Sequence, residues 1–118
     1  HLVHLLYYPN DTVDTEYLEN VFSSSHLIRL KRAHEVTALG IHKGSAVKKV
    51  AQIYGCSLEN CVAFGDANND LTMIEYAGIG VAMDNAQPVL KEKSDFVTLS
   101  NDQDGVAEAV KHFWKEIA

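Results

Sequence analysis

The stretch Cys61–Gly78, CVAFGDANNDLTMIEYAG, decides the fold because it joins a strand to a helix through an acidic loop. Residues 61–64 are apolar and suited to a buried strand. Gly65 follows, where the backbone can turn sharply, and the loop DANND occupies 66–70 before a helical apolar pattern begins. A buried strand that leads directly into a helix is typical of a parallel α/β sheet.

The same alternation of helix and strand extends from about residue 39 to the end of the chain. The apolar spacing predicts helices at 44–55, 70–76, 88–93 and 105–117, and strands at 61–64, 79–83 and 96–99. Three strands joined by helical crossovers predict a doubly wound sheet, in which ligands bind outside the carboxyl ends of the strands. Asp66 is placed at such an end.

Residues 1–38 follow another pattern. Strands are predicted at 2–8, 26–31 and 33–38, with a short helix at 14–22. This region is predicted to be a small α/β piece with antiparallel strands, so the chain divides into 1–38 and 39–118.

Composition excludes several classes of function. The 118 residues suit one compact domain, and the net charge of −6 argues against nucleic acid and an anionic membrane surface as partners. It does not exclude an anionic substrate, because a bound metal can invert the local charge. No apolar run reaches the roughly 20 residues that cross a bilayer. Cys56 and Cys61 form no CxxC pattern, and without a signal peptide they predict reduced thiols and a cytoplasmic location.

The acidic loop has the composition of a magnesium site. Asp66 and Asp70 are four residues apart, so both carboxylates can face one point above the sheet. Mg²⁺ prefers such oxygen ligands, and Asn68 and Asn69 add uncharged donors for phosphate oxygens. The alternative is that Asp66 closes a turn while Asp70 or Asn69 caps the next helix. Capping needs one residue of this kind, and the loop has four.

Lys43 stands directly before Gly44 and a predicted helix N-terminus. Its charge opposes the positive end of the helix dipole, so it does nothing for that helix. An anion held near the same terminus would explain it, because a cation there can bind phosphate and stabilise charge during transfer. The alternative is a solvated surface lysine.

Three segments together resemble the haloacid dehalogenase (HAD) superfamily, specifically its Cof-type (class IIB) phosphatases. GIHKGSAVKKVAQIYG (40–55) resembles the lysine motif, VAFGDANNDLTMIEYAGIGVAMDNA (62–86) the acidic motif, and SDFVTLSNDQDGVAEAV (94–110) the closing segment. The resemblance implies that 39–118 is the C-terminal half of a HAD-like Rossmannoid parallel sheet. It implies that 1–38 is the remnant of an α/β cap domain.

The resemblance also implies roles for individual residues. Asp66 would ligate Mg²⁺ directly, and Asp70 would hold a metal-bound water. Asn69 would contact the phosphoryl group or the water shell of the metal. Lys43 would bridge the phosphate and a nucleophilic aspartate, and Asn85 would line the same site.

Two positions depart mildly from the family pattern. Asn68 stands where an acidic residue is common, and Asp84 stands where glycine is common. Neither departure removes a residue to which the resemblance assigns a role.

The nucleophile motif of the family, a DxDGT-like segment after an N-terminal strand, is not found in these residues. DTVDT (11–15) has the wrong spacing and follows Pro9. DQDGV (102–106) has the right spacing, but other residues separate it from the strand, so Asp102 and Asp104 are interpreted as loop and helix-cap residues.

The leading hypothesis is therefore the C-terminal part of a Mg²⁺-dependent phosphomonoesterase that acts through an aspartyl-phosphate. Its substrates would be sugar phosphates or other small phosphorylated metabolites, and this part alone is expected to be inactive. The alternative is a non-catalytic module, complete as given, that binds Mg²⁺ or a protein. A homodimer through the exposed sheet edge is a further expectation.

Overall fold

The computed structural model describes residues 4–7, 20, 25–29 and 34–117. The backbone forms two compact units, 1–42 and 43–118, and the predicted boundary lies a few residues before the observed one. The assignment of the first unit to a cap domain stays a prediction.

The first unit contains an antiparallel three-stranded sheet. It consists of β1 (His4–Tyr7), β2 (Ser25–Arg29) and β3 (His34–Ala38), with β3 in the centre. Val36 of β3 pairs with Leu5 on one side and Leu27 on the other, and its side chain is fully buried. The antiparallel strands are therefore as predicted. The helix predicted over 14–22 lies, Asn20 apart, outside the described residues.

The second unit contains a parallel sheet in the order β4–β5–β6 with helical crossovers, which confirms the predicted α/β class. Its elements are α1 (Lys43–Ile53), β4 (Val62–Gly65), α2 (Leu71–Tyr76), β5 (Ile79–Ala82), α3 (Pro88–Lys93), β6 (Phe96–Val97) and α4 (Gly105–Ile117), with 3₁₀ turns at 58–60, 68–70 and 101–103. The last strand is shorter than predicted, although the Thr98 N–H still donates to the Ala82 carbonyl.

Helix α1 ends where the glycine at its C-terminus predicts. Gly55 has φ +67°. Its N–H donates to the carbonyl of Gln52, and the N–H of Cys56 donates to the carbonyl of Ala51. These two bonds form a Schellman motif, which satisfies carbonyl groups that the helix leaves without partners.

The core of the second unit lies between α2, α3 and the sheet. Its fully or almost fully buried side chains include Ile74 of α2, Val81 and Ala82 of β5, and Leu90 of α3. This packing fixes the start of α2 against the end of β4, which is the junction that carries the acidic loop. In the described parts of the chain, no helix combines the length and apolar character needed to span a bilayer.

Two helices leave more apolar surface exposed than their amphipathic patterns predict. Tyr54, which follows α1, is 78% exposed, and Trp114 on α4 is 62% exposed. An open groove of about 480 Å³ runs beside α1 and the start of β4. Cys61 and Val62, at the start of β4, line this groove. Within the described residues, β4 pairs with β5 alone.

Candidate functional site

A cleft of about 320 Å³ opens at the carboxyl end of β4. Its lining residues are Lys43, Phe64, Gly65, Asp66, Asp70, Met73, Met83 and Val106. The structure thus brings together three of the predicted site residues, Lys43, Asp66 and Asp70, at the end of the sheet where a parallel fold binds its ligands.

The Asp70 carboxylate holds the acidic loop in shape. Its Oδ2 atom accepts hydrogen bonds from the backbone N–H groups of Asp66, at 2.9 Å, and Ala67, at 3.2 Å. The side chain is buried, so these bonds are shielded from water. Asp70 does not cap α2 as the alternative predicted, because its side chain makes no cap hydrogen bond to that helix and binds donors of the loop before it.

The second oxygen of Asp70 faces Lys43. The Lys43 Nζ atom donates to Oδ1 at 2.5 Å, and the lysine side chain is 48% exposed while that of Asp70 is 7% exposed. Burial raises the pKa of Asp70, but the hydrogen bond from Lys43, the two backbone bonds and the lysine charge together lower it below its ordinary value. Asp70 is therefore a carboxylate at neutral pH.

Gly65 provides space for Asp70. A methyl group at Gly65 would lie 2.6 Å from the Asp70 Cβ atom, which is closer than two carbon atoms can pack. Gly65 does not use a left-handed backbone, because among the described glycines only Gly40 and Gly55 have positive φ. What the loop requires at residue 65 is the absence of a side chain.

Asp66 differs from Asp70 in having a free carboxylate. Its backbone is fixed on both sides, since its N–H binds Asp70 and its carbonyl accepts from the Gln87 N–H at 2.9 Å. Its side chain is exposed, and no hydrogen bond to its carboxylate is found within the described residues. A charged oxygen donor on a rigid backbone has the chemistry of a hard-cation ligand.

The donor set fits a magnesium ion that keeps much of its water shell. Asp66 would offer an oxygen directly, and Asp70, whose oxygens are already hydrogen-bonded, suits a contact through water. The described residues contain no group of three or more His, Cys, Asp or Glu side chains that could hold a metal. A cation here would therefore depend on water, substrate or other polypeptide for its remaining ligands.

The two predicted asparagines lie in different places. Asn69 is half-buried in the 3₁₀ turn of the acidic loop, beside Asp70. Asn85 is exposed, and its Oδ1 atom accepts from the Asn101 N–H at 2.9 Å. Asn85 thus ties the loop after β5 to the loop before α4 and is not part of the cleft lining. The phosphate-binding roles of both residues stay predictions.

The positions that depart from the family pattern are accommodated locally. Asp84 forms an exposed ion pair with Lys91 at 3.2 Å, and Asn68 is half-buried in the turn. Asp102 and Asp104 lie in the loop before α4 and are exposed, as the loop interpretation predicts.

Some residues at the site have no marker in the sequence. The Thr72 hydroxyl oxygen accepts from the Gly44 N–H at 3.0 Å, although the two residues are 28 positions apart. Val106 of α4 is 47% exposed and lines the cleft. Contacts between distant segments of this kind leave no local pattern that a single sequence reveals.

Comparison with known proteins identifies the family. A family model described as haloacid dehalogenase-like hydrolase matches residues 10–110. The 5-amino-6-(5-phospho-D-ribitylamino)uracil phosphatase YcsE of Bacillus subtilis is 51% identical over 79 residues, which is 67% of this chain and 32% of that protein. A phosphoglycolate phosphatase of Methanothermobacter thermautotrophicus is 42% identical over 81 residues, 69% of this chain and 37% of that protein.

Solved structures agree with these relatives. A haloacid dehalogenase-like hydrolase from B. subtilis superposes with a TM-score of 0.85 and 33% identity, covering 93% of this chain and 40% of that one. The HAD subclass IIB sugar phosphatase BT4131 superposes with a TM-score of 0.81 and 30% identity, covering 94% of this chain and 43% of that one. The chain spans about a third of the length of the curated relatives it matches.

Proposed function

The chain belongs to the haloacid dehalogenase-like hydrolase family, and we propose that it forms the metal- and phosphate-binding part of a Cof-type phosphomonoesterase. One observation carries the proposal. The exposed, unpartnered carboxylate of Asp66 lines the same cleft as the Lys43–Asp70 ion pair, at the carboxyl end of a parallel strand.

Each of the three residues has a distinct task in this proposal. Asp66 ligates Mg²⁺, and Asp70 orients a metal-bound water while it fixes the loop. Lys43 keeps part of its side chain accessible and presents a positive charge to the phosphoryl oxygens. Bound Mg²⁺ would supply further neutralisation of the phosphoryl charge. The chain has a net negative charge, but the cation and Lys43 together would make this cleft suitable for an anion.

Asn69 and Asn85 are proposed to support the phosphate site. Asn69 is half-buried next to Asp70 in the turn and is not part of the cleft lining. Asn85 forms part of the neighbouring loop, where its bond to Asn101 would have to open for direct contact with phosphate.

The proposed substrates are sugar phosphates or other small phosphorylated metabolites. The two phosphatase relatives are named for a phosphorylated ribitylaminouracil and for phosphoglycolate, and one structural neighbour is named a sugar phosphatase. All three names describe small phosphate monoesters. A cytoplasmic location, inferred from the two reduced thiols, stays part of this proposal.

Metal binding is the direct test on this chain. We expect Mg²⁺ to shift the backbone amide resonances of residues 65–71 in NMR spectra, and we expect Asp66→Asn to weaken binding about tenfold or more because the only free carboxylate of the loop is lost. Asp102→Asn, which removes one exposed carboxylate from the loop before α4, is the matched control and should leave the affinity unchanged. Equal Mg²⁺ affinity in wild type and Asp66→Asn would contradict the proposal.

The chain alone is proposed to hydrolyse nothing, because the resemblance assigns the nucleophile to a motif that these residues lack. Purified chain should show no turnover of p-nitrophenyl phosphate in the presence of Mg²⁺. Turnover that Asp66→Ala abolishes would mean that these residues do supply a nucleophile. Asp102→Ala and Asp104→Ala would then identify whether the loop before α4 provides it.

The open groove supports a second proposal of another class, in which the chain associates through β4. No strand among the described residues pairs with the second edge of β4, and an unpaired edge is a template for another strand. The exposed side chains of Val50, Tyr54 and Val62 line the apolar groove. A second copy of the chain is the proposed occupant. Sedimentation at increasing concentration should show a dimer that Val62→Lys dissociates, whereas a monomer at all concentrations would contradict it.

A further inference from the structure

Two consecutive residues of α1 contact the segment that starts α2. Lys43 donates to the Asp70 carboxylate, and Gly44, the next residue, donates its N–H to the Thr72 hydroxyl. Both contacts join the first turn of α1 to residues 70–72. The lysine and the acidic loop are therefore held together at two points, and only one of these involves the residues to which the proposed function assigns a role.

The Thr72 contact satisfies a donor that α1 cannot satisfy itself. Because α1 begins at Lys43, the Gly44 N–H is one of the first N–H groups of the helix, which have no carbonyl partner within it. No acidic residue is present in the first turn to accept it. The Thr72 Oγ1 atom, at 3.0 Å, does so from the neighbouring helix.

The backbones of the two helices also meet at this point. Gly44 is buried, and a methyl group there would lie 2.8 Å from the Thr72 carbonyl oxygen and 2.9 Å from its Cβ atom. The start of α1 thus rests directly on Thr72, at a distance that only glycine allows. This contact sets the position of the Lys43 backbone relative to the loop.

Lys43 depends on this placement more than Asp70 does. Asp70 is held by the N–H groups of Asp66 and Ala67 within its own loop. Lys43 has a flexible, half-exposed side chain whose one described partner is Asp70, so its direction follows from where α1 begins.

We propose that Thr72 is a positioning residue for Lys43, whose hydroxyl and backbone seat the first turn of α1 so that the ammonium group reaches Asp70 and the cleft. The role in phosphate binding rests on the proposed function; the role in seating Lys43 does not.

The test compares Thr72→Val, which keeps the shape and removes the hydroxyl, with Thr72→Ser, which restores it. The first readout is the NOE between the ε-methylene protons of Lys43 and the β-methylene protons of Asp70. We expect this NOE to be lost in Thr72→Val and kept in Thr72→Ser. Ser94→Ala, which removes a hydroxyl bonded to a backbone carbonyl elsewhere in the unit, should keep it.

The second readout is the affinity of the chain for inorganic phosphate in the presence of Mg²⁺. We expect Thr72→Val to weaken it about fivefold, as for the loss of one hydrogen bond, and Thr72→Ser to recover it. Should Thr72→Val fail to fold, Thr72→Ala, which makes no demand on space, replaces it. Backbone amide spectra establish which variant is folded.

A folded variant that lacks the hydroxyl and keeps the NOE overturns the proposal. Loss of the NOE with unchanged phosphate affinity supports the seating of Lys43 and contradicts the phosphate role that the proposed function gives to Lys43. If wild type shows the NOE but binds no phosphate, the proposed function fails, and the NOE comparison by itself decides the role of Thr72.

Discussion

Two loops of the parallel sheet have nearly the same composition and different physical states. GDANND (65–70) begins with the last residue of β4, and SNDQDG (100–105) ends with the first residue of α4. Each has two aspartates, at least one asparagine and a glycine. In the first loop Asp70 is buried and paired with Lys43. In the second, residues 101–104 are all exposed.

The surroundings of the two loops, and not their residue types, account for this difference. Asp70 lies over a glycine that leaves it room, next to N–H groups that bind it and opposite a lysine from another helix. Asp104 lies at the surface with a left-handed backbone, φ 57°. Four comparisons of stability test this difference between the loops, in order of decreasing size.

Removing the buried carboxylate should give the largest loss of stability. Asp70→Ala leaves two backbone donors and the Lys43 charge without their acceptor, and we expect the free energy of unfolding to fall by about 3 kcal/mol. Asp102→Ala, in the exposed loop, should change it by less than about 0.5 kcal/mol. Urea unfolding of both variants makes the comparison, and equal effects would remove the distinction between the loops.

Lowering the pH should reversibly remove the stability that the Asp70 carboxylate contributes. The pKa of Asp70 is lower in the folded chain than in the unfolded one, so the folded state binds this proton less tightly. The carboxylate therefore stabilises the fold above the unfolded value of about 3.9, and the contribution is lost as the pH falls through the lower folded pKa. The stability gap between wild type and Asp70→Asn, measured in urea from pH 6 to pH 2, should close below about pH 4. A gap that stays constant would contradict this.

Filling the space beneath Asp70 should have the next largest effect. Gly65→Ala would place a methyl group 2.6 Å from the Asp70 Cβ atom, and we expect a loss of about 2 kcal/mol because the buried carboxylate must move. Gln103→Ala, at an exposed position of the second loop, serves as the control. If Gly65→Ala were as stable as wild type, the close packing of the first loop would not matter.

The smallest expected effect is a gain in the second loop. Asp104→Gly removes the steric strain of a side chain on a left-handed backbone, and it should raise the free energy of unfolding by about 0.5 kcal/mol. Ala67→Gly, in the first loop, should lower the free energy of unfolding by about 0.5 kcal/mol. Ala67 has an extended backbone that any residue adopts, so glycine relieves no strain there and only increases the entropy of the unfolded chain. Thermal unfolding of both variants distinguishes them by the sign of the change. A loss in both would show that the backbone of Asp104 is not strained.

The sequence predicts the sheet and the position of the site because both depend on local patterns. The β4 strand, the acidic loop and α2 each have a periodicity or a composition that can be read over a few residues, and the structure has them in that order. The meeting of Lys43 with Asp70 is not readable in this way, since 27 positions separate them. The resemblance places Lys43 at the same site as Asp66 and Asp70 but pairs it with the phosphate and a nucleophilic aspartate, so the ion pair with Asp70 is a finding of the structure.

Burial was harder to predict than secondary structure. The apolar sides of α1 and α4 have the right spacing, but Val50 is 52% exposed and Val106 is 47% exposed. A helical pattern shows which residues share a face, whereas burial depends on what packs against that face. The contact between Gly44 and Thr72 has no sequence signal either, because it joins two helices that are distant along the chain.

The double use of Asp70 bears on how diverged relatives should be classified. Asp70 closes the loop and binds Lys43, so selection for a stable fold alone would retain Asp70 and Lys43. This would hold even in a relative that has lost catalytic activity. The Asp66 side chain makes no hydrogen bond with the residues that the structure describes, so selection for the proposed chemistry would be what preserves it. When genomes are surveyed for active members, the first aspartate of the loop is thus a more discriminating marker than the conspicuous lysine–aspartate couple.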